Sequence, residues 1–175
     1  LRALRFASTR GYEIEAQTAQ ALRDNRHRLT HVSAERITAE LLQIVSGAYA
    51  GAVCMEFAEI FAEILPEIAP MMGFQQCNPH HKYDVAEHTL RALKNVKRDK
   101  ILRLTMLFHD MGKPMMKTTD ENGRDHFRGH ALVSEELARS ILHRLKFDNE
   151  TIRTVTKLVC YHDYRVEATP KNVRR

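Results

Sequence analysis

The sequence predicts an all-α protein, in which a helical region at residues 1–73 precedes a helical bundle with a core metal site at residues 74–175. Apolar side chains recur every three or four residues along most of the chain, which is the period of a helix with one buried face. No segment shows convincing strand alternation, and no internal repeat is present. A hydrophobic content of 43% over 175 residues is enough for a core and argues against a disordered chain.

The first part of the chain is expected to form three short helices. Residues 1–10 form the first, which Gly11 closes, and the second spans about residues 14–25. Ser33 is a suitable N-cap for the third helix, because its hydroxyl can accept a hydrogen bond from the first turn. Ser46-Gly47 should end this helix.

A fourth helix is predicted over residues 54–65, where apolar side chains recur at helical spacing. Its interpretation is simple core packing, and Pro66 ends it. Residues 71–83 show no clear period and favour a linker or loop. We therefore expect the domain boundary there, between residues 73 and 74.

The second part is expected to hold four further helices. Asp84, with Glu87 three residues later, resembles a capping box, so a helix should run from there to about residue 96. A buried helix then ends at His109-Asp110. The remaining elements are a polar loop or short hairpin at residues 118–125, with a turn at Asn122-Gly123, and helices at residues 130–146 and 149–162.

Charge is distributed in blocks along the chain. The net charge is +5, and residues 1–36 carry seven arginines against four acidic residues. Residues 37–73 contain no lysine or arginine and five glutamates. This pattern suggests separate charged surfaces, with polyanions as candidate partners of the basic ones.

Cysteine usage and hydropathy indicate a cytoplasmic protein. Cys54, Cys77 and Cys160 form neither a CxxC pair nor an even set, so a disulfide framework and a thiolate zinc site are both disfavoured. No stretch approaches the roughly 20 apolar residues of a membrane span, and no signal peptide opens the chain. Because Leu1 is not an initiator methionine and Arg174-Arg175 is not an obvious natural end, both ends are expected to be cut edges of a larger polypeptide.

The chemistry is expected to centre on residues 108–114, where an apolar helix ends in an adjacent histidine and carboxylate. Neighbouring residues in a regular helix point about 100° apart, so His109 and Asp110 can share one ion only at a frayed helix end. Gly112 and Pro114 provide the residues that end a helix. The stretch is therefore predicted to present two metal ligands.

Further histidines are concentrated in the same part of the chain, since eight of the ten lie between residues 80 and 162. His88 falls on the inward stripe of its helix, His162 continues the inward face of the last helix, and His130 begins the helix before it. Helical bundles build core metal sites from such inward-facing residues. His80 and His81 are expected in a loop, from which they could approach the mouth of the site.

Histidine and carboxylate ligands without thiolate suit a divalent metal, here nickel, manganese, cobalt, iron, zinc or magnesium, without selecting among them. A metal with open positions binds phosphate oxygens and activates water, so phosphate-ester hydrolysis is the predicted reaction. Asp110 is placed at its centre, and Lys113 could hold a substrate phosphate. His126 and His130 are candidates for a general acid, a phosphate contact or second-metal ligands.

The pattern His88…His109-Asp110…His162-Asp163 resembles the H…HD…D signature of the HD superfamily of metal-dependent phosphohydrolases. The HD-x-G-K run adds to the likeness. The resemblance implies that a first metal is bound by His88, His109, Asp110 and Asp163, with His130 and His162 as ligands of a second.

Residues 1–7, 11–14 and 31–37 are similar to the neck region of bacterial CCA-adding tRNA nucleotidyltransferases, in the poly(A) polymerase family. Residues 78–90 resemble the opening of the HD domain that some of these enzymes carry. In such enzymes a head domain binds Mg²⁺ and transfers CMP and AMP to the tRNA 3′ end. That head and its base-reading motif are absent from the sequence, so this segment alone is not expected to transfer nucleotides.

The resemblance implies tRNA and a nucleotide or phosphate ester as partners. Arg2 and Arg5 would border the nucleotide or the tRNA, and Arg36 would contact RNA phosphates, unless it belongs to a solvated face. In related enzymes the HD portion is associated with phosphatase, 2′-nucleotidase and 2′,3′-cyclic phosphodiesterase activities. Two alternatives remain, a non-catalytic body that docks tRNA and a free-standing HD nucleotide phosphohydrolase.

Overall fold

The computed structural model describes residues 1–77 and 83–164 and confirms the all-α class. Short 3-10 helices at Arg26–His31, Pro66–Met71 and Lys113–Met115 connect longer ones. The α-helices of the described residues are α1 (Arg2–Arg10), α2 (Ala16–Asp24), α3 (Ala34–Val45), α4 (Ala50–Glu56), α5 (Ala58–Ile64), α6 (Val85–Asn95), α7 (Lys100–Phe108), α8 (His130–Arg144) and α9 (Asn149–Tyr161).

Helix α1 packs across α3 through apolar faces that the sequence pattern predicts. Leu4 and Leu41 are fully buried in this contact, and the Ser8 hydroxyl donates to the carbonyl of Ile44. Gly11 closes α1 in a left-handed conformation, and its N–H donates to the carbonyl of Ala7. The side chain of Glu15 begins α2 by accepting two backbone hydrogen bonds.

The prediction of a single helix over residues 54–65 is wrong, because two helices, α4 and α5, meet at Phe57. This residue leaves the helical conformation, with φ −116° and ψ 34°, and its ring is buried. Helix α4 also begins earlier than predicted, at Ala50, and Gly51 lies inside it. A side chain at Gly51 would come within 2.7 Å of the carbonyl oxygen of Leu90, so glycine lets α4 approach α6 closely.

Aspartate caps set the starts of α6, α7 and α9, as the sequence suggests for α6. The carboxylate of Asp84 accepts the backbone N–H of Glu87, and Asp99 and Asp148 cap α7 and α9 in the same way. A two-stranded antiparallel hairpin pairs β1 (Thr118–Thr119) with β2 (Asp125–His126), between α7 and α8. Helix α7 lies in the middle, in contact with α3, α6, α8 and α9.

One hydrophobic core runs through both predicted domains. It extends from Leu4 in α1 to Val159 in α9, and α4 packs directly on α6 across the expected boundary. Because the core is continuous across residues 73 and 74, the structure does not test a domain boundary there, and the boundary stays a prediction. No helix in the described part of the chain is long and apolar enough to cross a bilayer.

Candidate metal centre

The buried helix α7 ends where the sequence predicts, immediately before the histidine–aspartate pair. It contains fully buried Phe108, and His109 keeps a helical conformation as its C-cap. A turn follows, and the 3-10 helix at Lys113–Met115 carries the chain away. The pair thus lies at a helix end inside the bundle, where adjacent side chains can turn toward one point.

Gly112 acts differently from the helix-ending residue that the sequence suggests. Its φ of −78° is open to any residue, so no left-handed turn requires glycine there. A side chain at Gly112 would instead lie 2.9 Å from the backbone nitrogen of Ser134 and closer still to the carbonyl oxygen of His130. The absence of a side chain lets the turn pack on α8, and the Gly112 N–H donates to the Ser134 hydroxyl over 2.9 Å.

Four imidazoles converge on the carboxylate of Asp110, which is 2% exposed. Oδ1 lies 3.3 Å from His130 Nε2 and 3.6 Å from His162 Nε2. Oδ2 lies 3.2 Å from His109 Nε2 and 3.6 Å from His88 Nε2. Two sets of three ligand atoms result, and Asp110 belongs to both.

Backbone carbonyls fix the orientation of three of these rings. The Nδ1 atoms of His109, His130 and His162 lie 2.7–2.8 Å from the carbonyl oxygens of the residues three positions earlier. A carbonyl only accepts, so each Nδ1 must carry the proton. In the neutral form of each ring, Nε2 then carries no proton, and its lone pair faces the centre of the cluster.

This donor set fits a divalent metal. His130 Nε2 and His162 Nε2 lie only 3.2 Å apart, so two lone pairs meet there unless a proton or a cation separates them. Oδ2 of Asp110 is buried and accepts no aligned hydrogen bond among the described residues. Imidazole nitrogens held by backbone carbonyls, together with a carboxylate, are the usual ligands of transition-metal sites.

Electrostatics keep the carboxylate of Asp110 charged. Burial raises its pKa, but the contacts of Asp110 with His109, His130 and His162, whose Nε2 atoms donate when they carry protons, outweigh burial and hold the pKa well below its usual range. Burial is the largest single influence and lowers the pKa of His162, but the contacts with Asp110 and the Val159 carbonyl and the charge of Asp163 together raise it above the usual 6.5. A bound cation would therefore compete with protons for the same nitrogens.

Lys113 is buried beside this carboxylate rather than exposed toward solvent. Its Nζ lies 2.8 Å from Asp110 Oδ2 and donates a hydrogen bond of 2.9 Å to Gln76 Oε1. The ammonium also lies 5.4 Å from the centroid of the Phe127 ring. The sequence gives no signal for Gln76, because nothing in its local pattern places it near residue 113.

Several predicted site residues lie apart from the cluster. His126 lies on the hairpin, with Nε2 2.8 Å from the carboxylate of Asp120, and belongs to neither set of ligand atoms. Asp163 is exposed and belongs to neither set of ligand atoms, whereas the adjacent His162, the C-cap of α9, belongs to one. His80 and His81 lie outside the described residues.

The expectation of separate basic and acidic surfaces is wrong for much of the N-terminal region, where the two blocks pair with each other. Arg5 lies 3.3 Å from Glu40, and its guanidinium stacks on Phe6, as does that of Arg2. Arg36 is exposed and has no carboxylate partner in residues 1–77 and 83–164. Arg23–Glu59 and Arg26–Glu63 pair in the same way, and Glu67 pairs with Arg144 of α8.

Comparison of the sequence with protein-family models identifies the family of this chain. The model of the HD domain matches residues 54–174, which is more than half of the chain. The chain belongs to the HD domain family. A second model, described as the probable RNA- and SrmB-binding site of polymerase A, matches residues 11–72. The HD-domain and neck resemblances of the sequence are thereby confirmed.

Similar proteins include enzymes that act on tRNA. The chain is 35% identical to a CC-adding tRNA nucleotidyltransferase of Thermus thermophilus over 100% of its own length, and 33% identical to an A-adding tRNA nucleotidyltransferase of Deinococcus radiodurans over 99%. It spans 43% of the length of each relative. A bifunctional uridylyltransferase/uridylyl-removing enzyme of Ruegeria pomeroyi is 26% identical over 59% of this chain and 13% of its own length.

Proposed function

We propose that this chain comprises the neck and HD parts of a tRNA nucleotidyltransferase, and that its HD part is a metal-dependent phosphohydrolase. The first statement is supported by similarity to CC-adding and A-adding enzymes over the whole length of this chain, which spans 43% of each of them. The second is carried by one observation, the convergence of four imidazoles on the buried carboxylate of Asp110. Nucleotidyl transfer is not proposed for these residues alone.

The ligands proposed for the metal are the imidazoles of His88, His109, His130 and His162 and the carboxylate of Asp110. When bound, such a metal supplies a Lewis acid for phosphate oxygens and lowers the pKa of a water molecule. Backbone carbonyls hold three of these imidazoles, those of His109, His130 and His162, in the tautomer that can bind it. The pKa of Asp110 lies well below its usual range, and the Lys113 ammonium lies 2.8 Å from Oδ2, so the carboxylate is ionised.

The substrate side of this centre is defined by exposure. The side chain of His88 is about a third exposed, at 35%, whereas those of His109 and Asp110 are nearly inaccessible. We infer that a phosphate group approaches past His88, because His109, Asp110 and Lys113 are all buried. We propose a phosphate monoester or a 2′,3′-cyclic phosphate of a nucleotide or an RNA end as the substrate.

A second candidate function is a body that docks tRNA without hydrolysis. The match of residues 11–72 to an RNA-binding family model favours RNA contact by this region, and it requires no chemistry at Asp110. A free-standing nucleotide phosphohydrolase is less well supported, because it leaves the similarity of the first 53 residues to tRNA nucleotidyltransferases unexplained.

Hydrolysis of 2′,3′-cyclic AMP, assayed with each of the six divalent metals in turn, tests the proposal. Asp110→Ala should reduce the rate by at least about 100-fold, because the shared ligand is lost. Asp24→Ala, which removes an exposed carboxylate on α2, is the matched control and should leave the rate unchanged. Equal rates in wild type and Asp110→Ala, or tRNA binding with no metal-dependent hydrolysis, would favour the docking function instead.

A further inference from the structure

A buried polar connection leads from the hairpin toward the metal centre. The carboxylate of Asp125 accepts the backbone N–H of Cys77 over 2.8 Å, and the Asp125 N–H donates to the carbonyl of Cys77 over 2.9 Å. Lys117 and Thr119 also bind this carboxylate, at 2.7 Å each. Residue 77 is thus fixed to the hairpin from both sides of its backbone, and its neighbour Gln76 is held in place.

The orientation of the Gln76 amide follows from its two partners. Its nitrogen donates to the carbonyl oxygen of Tyr83 over 3.2 Å, and a carbonyl can only accept. Its oxygen therefore faces Lys113, whose ammonium can only donate, at 2.9 Å. The side chain is 4% exposed, so water does not readily replace either contact.

Gln76 receives the well-aligned hydrogen bond of the Lys113 ammonium, and Asp110 does not. Nζ lies 2.8 Å from Asp110 Oδ2, but this ion pair falls outside hydrogen-bonding angles, so Oδ2 remains without an aligned donor in the described part of the chain. The ammonium thus balances the charge of the carboxylate at contact distance, but its aligned hydrogen bond goes to Gln76. A cation at this centre would share Asp110 with Lys113, and the two positive groups would compete for it.

We propose that Gln76 is a positioning residue of the metal centre: by sharing the Lys113 ammonium, it keeps Asp110 Oδ2 available to the metal. The inference rests on the proposed metal centre. Without the amide oxygen, Asp110 Oδ2 is the nearby acceptor left to the ammonium among the described residues, and we expect the ammonium to direct a hydrogen bond at it, because an unbonded buried ammonium is costly. Metal binding should then weaken, since the same oxygen is engaged by a competing cation.

Calorimetric titration with Co²⁺ alone tests this role without any assay of turnover. Gln76→Met keeps the shape of the side chain but removes its acceptor, and it should weaken Co²⁺ binding about tenfold. Gln76→Glu restores an oxygen facing Lys113 and should bind within about threefold of wild type. Gln75→Met makes the same substitution at the exposed neighbouring position and should leave the affinity unchanged.

A double-mutant cycle shows whether Gln76 acts through Lys113. In a Lys113→Met background, adding Gln76→Met should cause no further loss of Co²⁺ affinity, because no ammonium is left to hold. The same tenfold loss in both backgrounds, or no loss in Gln76→Met, overturns the inference. If Gln76→Met does not fold, Gln76→Asn retracts the amide by one methylene and must show the same loss. Failure of the wild-type protein to bind Co²⁺ would instead overturn the proposed function.

Discussion

The N-terminal helices and the metal centre use charge in opposite ways. In the first region each arginine–glutamate pair joins neighbouring elements and is complete in itself, as in Arg23–Glu59 at 2.8 Å. These side chains are about a third exposed. In the second region one buried carboxylate is shared by four imidazoles and a lysine, and its Oδ2 lacks an aligned donor among the described residues.

The difference shows where the molecule has unused binding capacity. An exposed ion pair contributes only about 0–1 kcal/mol and leaves little charge for a ligand. Burying a carboxylate among lone-pair donors costs several kcal/mol unless a cation or protons compensate. Lys113 supplies part of this compensation, and a divalent metal would supply the rest. Four variants or conditions test this contrast, with expected effects from the largest to the smallest.

The largest expected effect is stabilisation by metal. At a free Co²⁺ concentration 100 times the dissociation constant, the free energy of unfolding should rise by about 2.7 kcal/mol. For a chain of this size the melting temperature should then rise by roughly 5–10 °C. Scanning calorimetry with and without Co²⁺ measures the change. His109→Ala should abolish the rise in melting temperature. If Co²⁺ does not change the melting temperature of the wild-type protein, the metal centre is contradicted.

The next effect tests the close packing of the turn on α8. Gly112→Ala should lower the free energy of unfolding by about 1–3 kcal/mol, because the new methyl group overlaps the backbone of α8. It should also weaken Co²⁺ binding, since His130 begins α8. Gly123→Ala is the control, because space is open there and only its positive φ causes strain. Urea denaturation that shows the larger loss of stability in Gly123→Ala, or Co²⁺ titration that shows the larger loss of affinity there, would contradict this account.

A smaller effect concerns acid stability. The Lys117 ammonium is the largest influence on Asp125 and, against the opposing effect of burial, brings its pKa to about 2. Because this folded-state pKa lies below the usual 3.8, Asp125 stabilises the fold above about pH 4 and loses this contribution as the pH falls toward 2. In Asp125→Asn the melting temperature should fall less steeply over that range. Parallel curves for the two proteins would show that Asp125 is not the group responsible.

The smallest effect on stability is expected in the N-terminal region. Arg23→Ala removes a completed ion pair and should change the free energy of unfolding by about 1 kcal/mol or less. Its effect on tRNA affinity should also be small. Arg36→Ala removes an arginine without a carboxylate partner in the described residues, so it should weaken tRNA binding and reduce the salt slope by about 1. Filter binding over a salt series compares the tRNA affinities of Arg23→Ala and Arg36→Ala. Equal losses of affinity in the two variants would show that pairing with a carboxylate does not decide which arginines contact RNA.

Local sequence patterns predicted much of the fold because they depend on neighbours along the chain. The Asp84 cap and the apolar stripes of α8 and α9 are properties of single helices. The convergence of His88 and His162 also followed, since each lies on the inward face of its own helix. The two side chains meet at Asp110 because both helix faces turn toward the same core.

The remaining features depend on contacts between distant segments. The break at Phe57 reflects a buried ring, and the need for glycine at Gly112 reflects the approach of α8. Gln76 reaches Lys113 across 37 positions of the chain, through a turn that the hairpin fixes. Asp163 is adjacent to a converging residue in sequence, yet it is exposed and belongs to neither set of ligand atoms. A pattern of spacings carries none of this information.

The central claim is that the residues around Asp110 bind a divalent metal. Crystals soaked in Co²⁺ and measured at the cobalt absorption edge test it most directly. An anomalous difference peak should lie among Nε2 of His88, His109, His130 and His162 and the Asp110 carboxylate, and it should vanish in Asp110→Ala crystals. A map without a peak at this position, or with a peak that persists in Asp110→Ala, would contradict the claim.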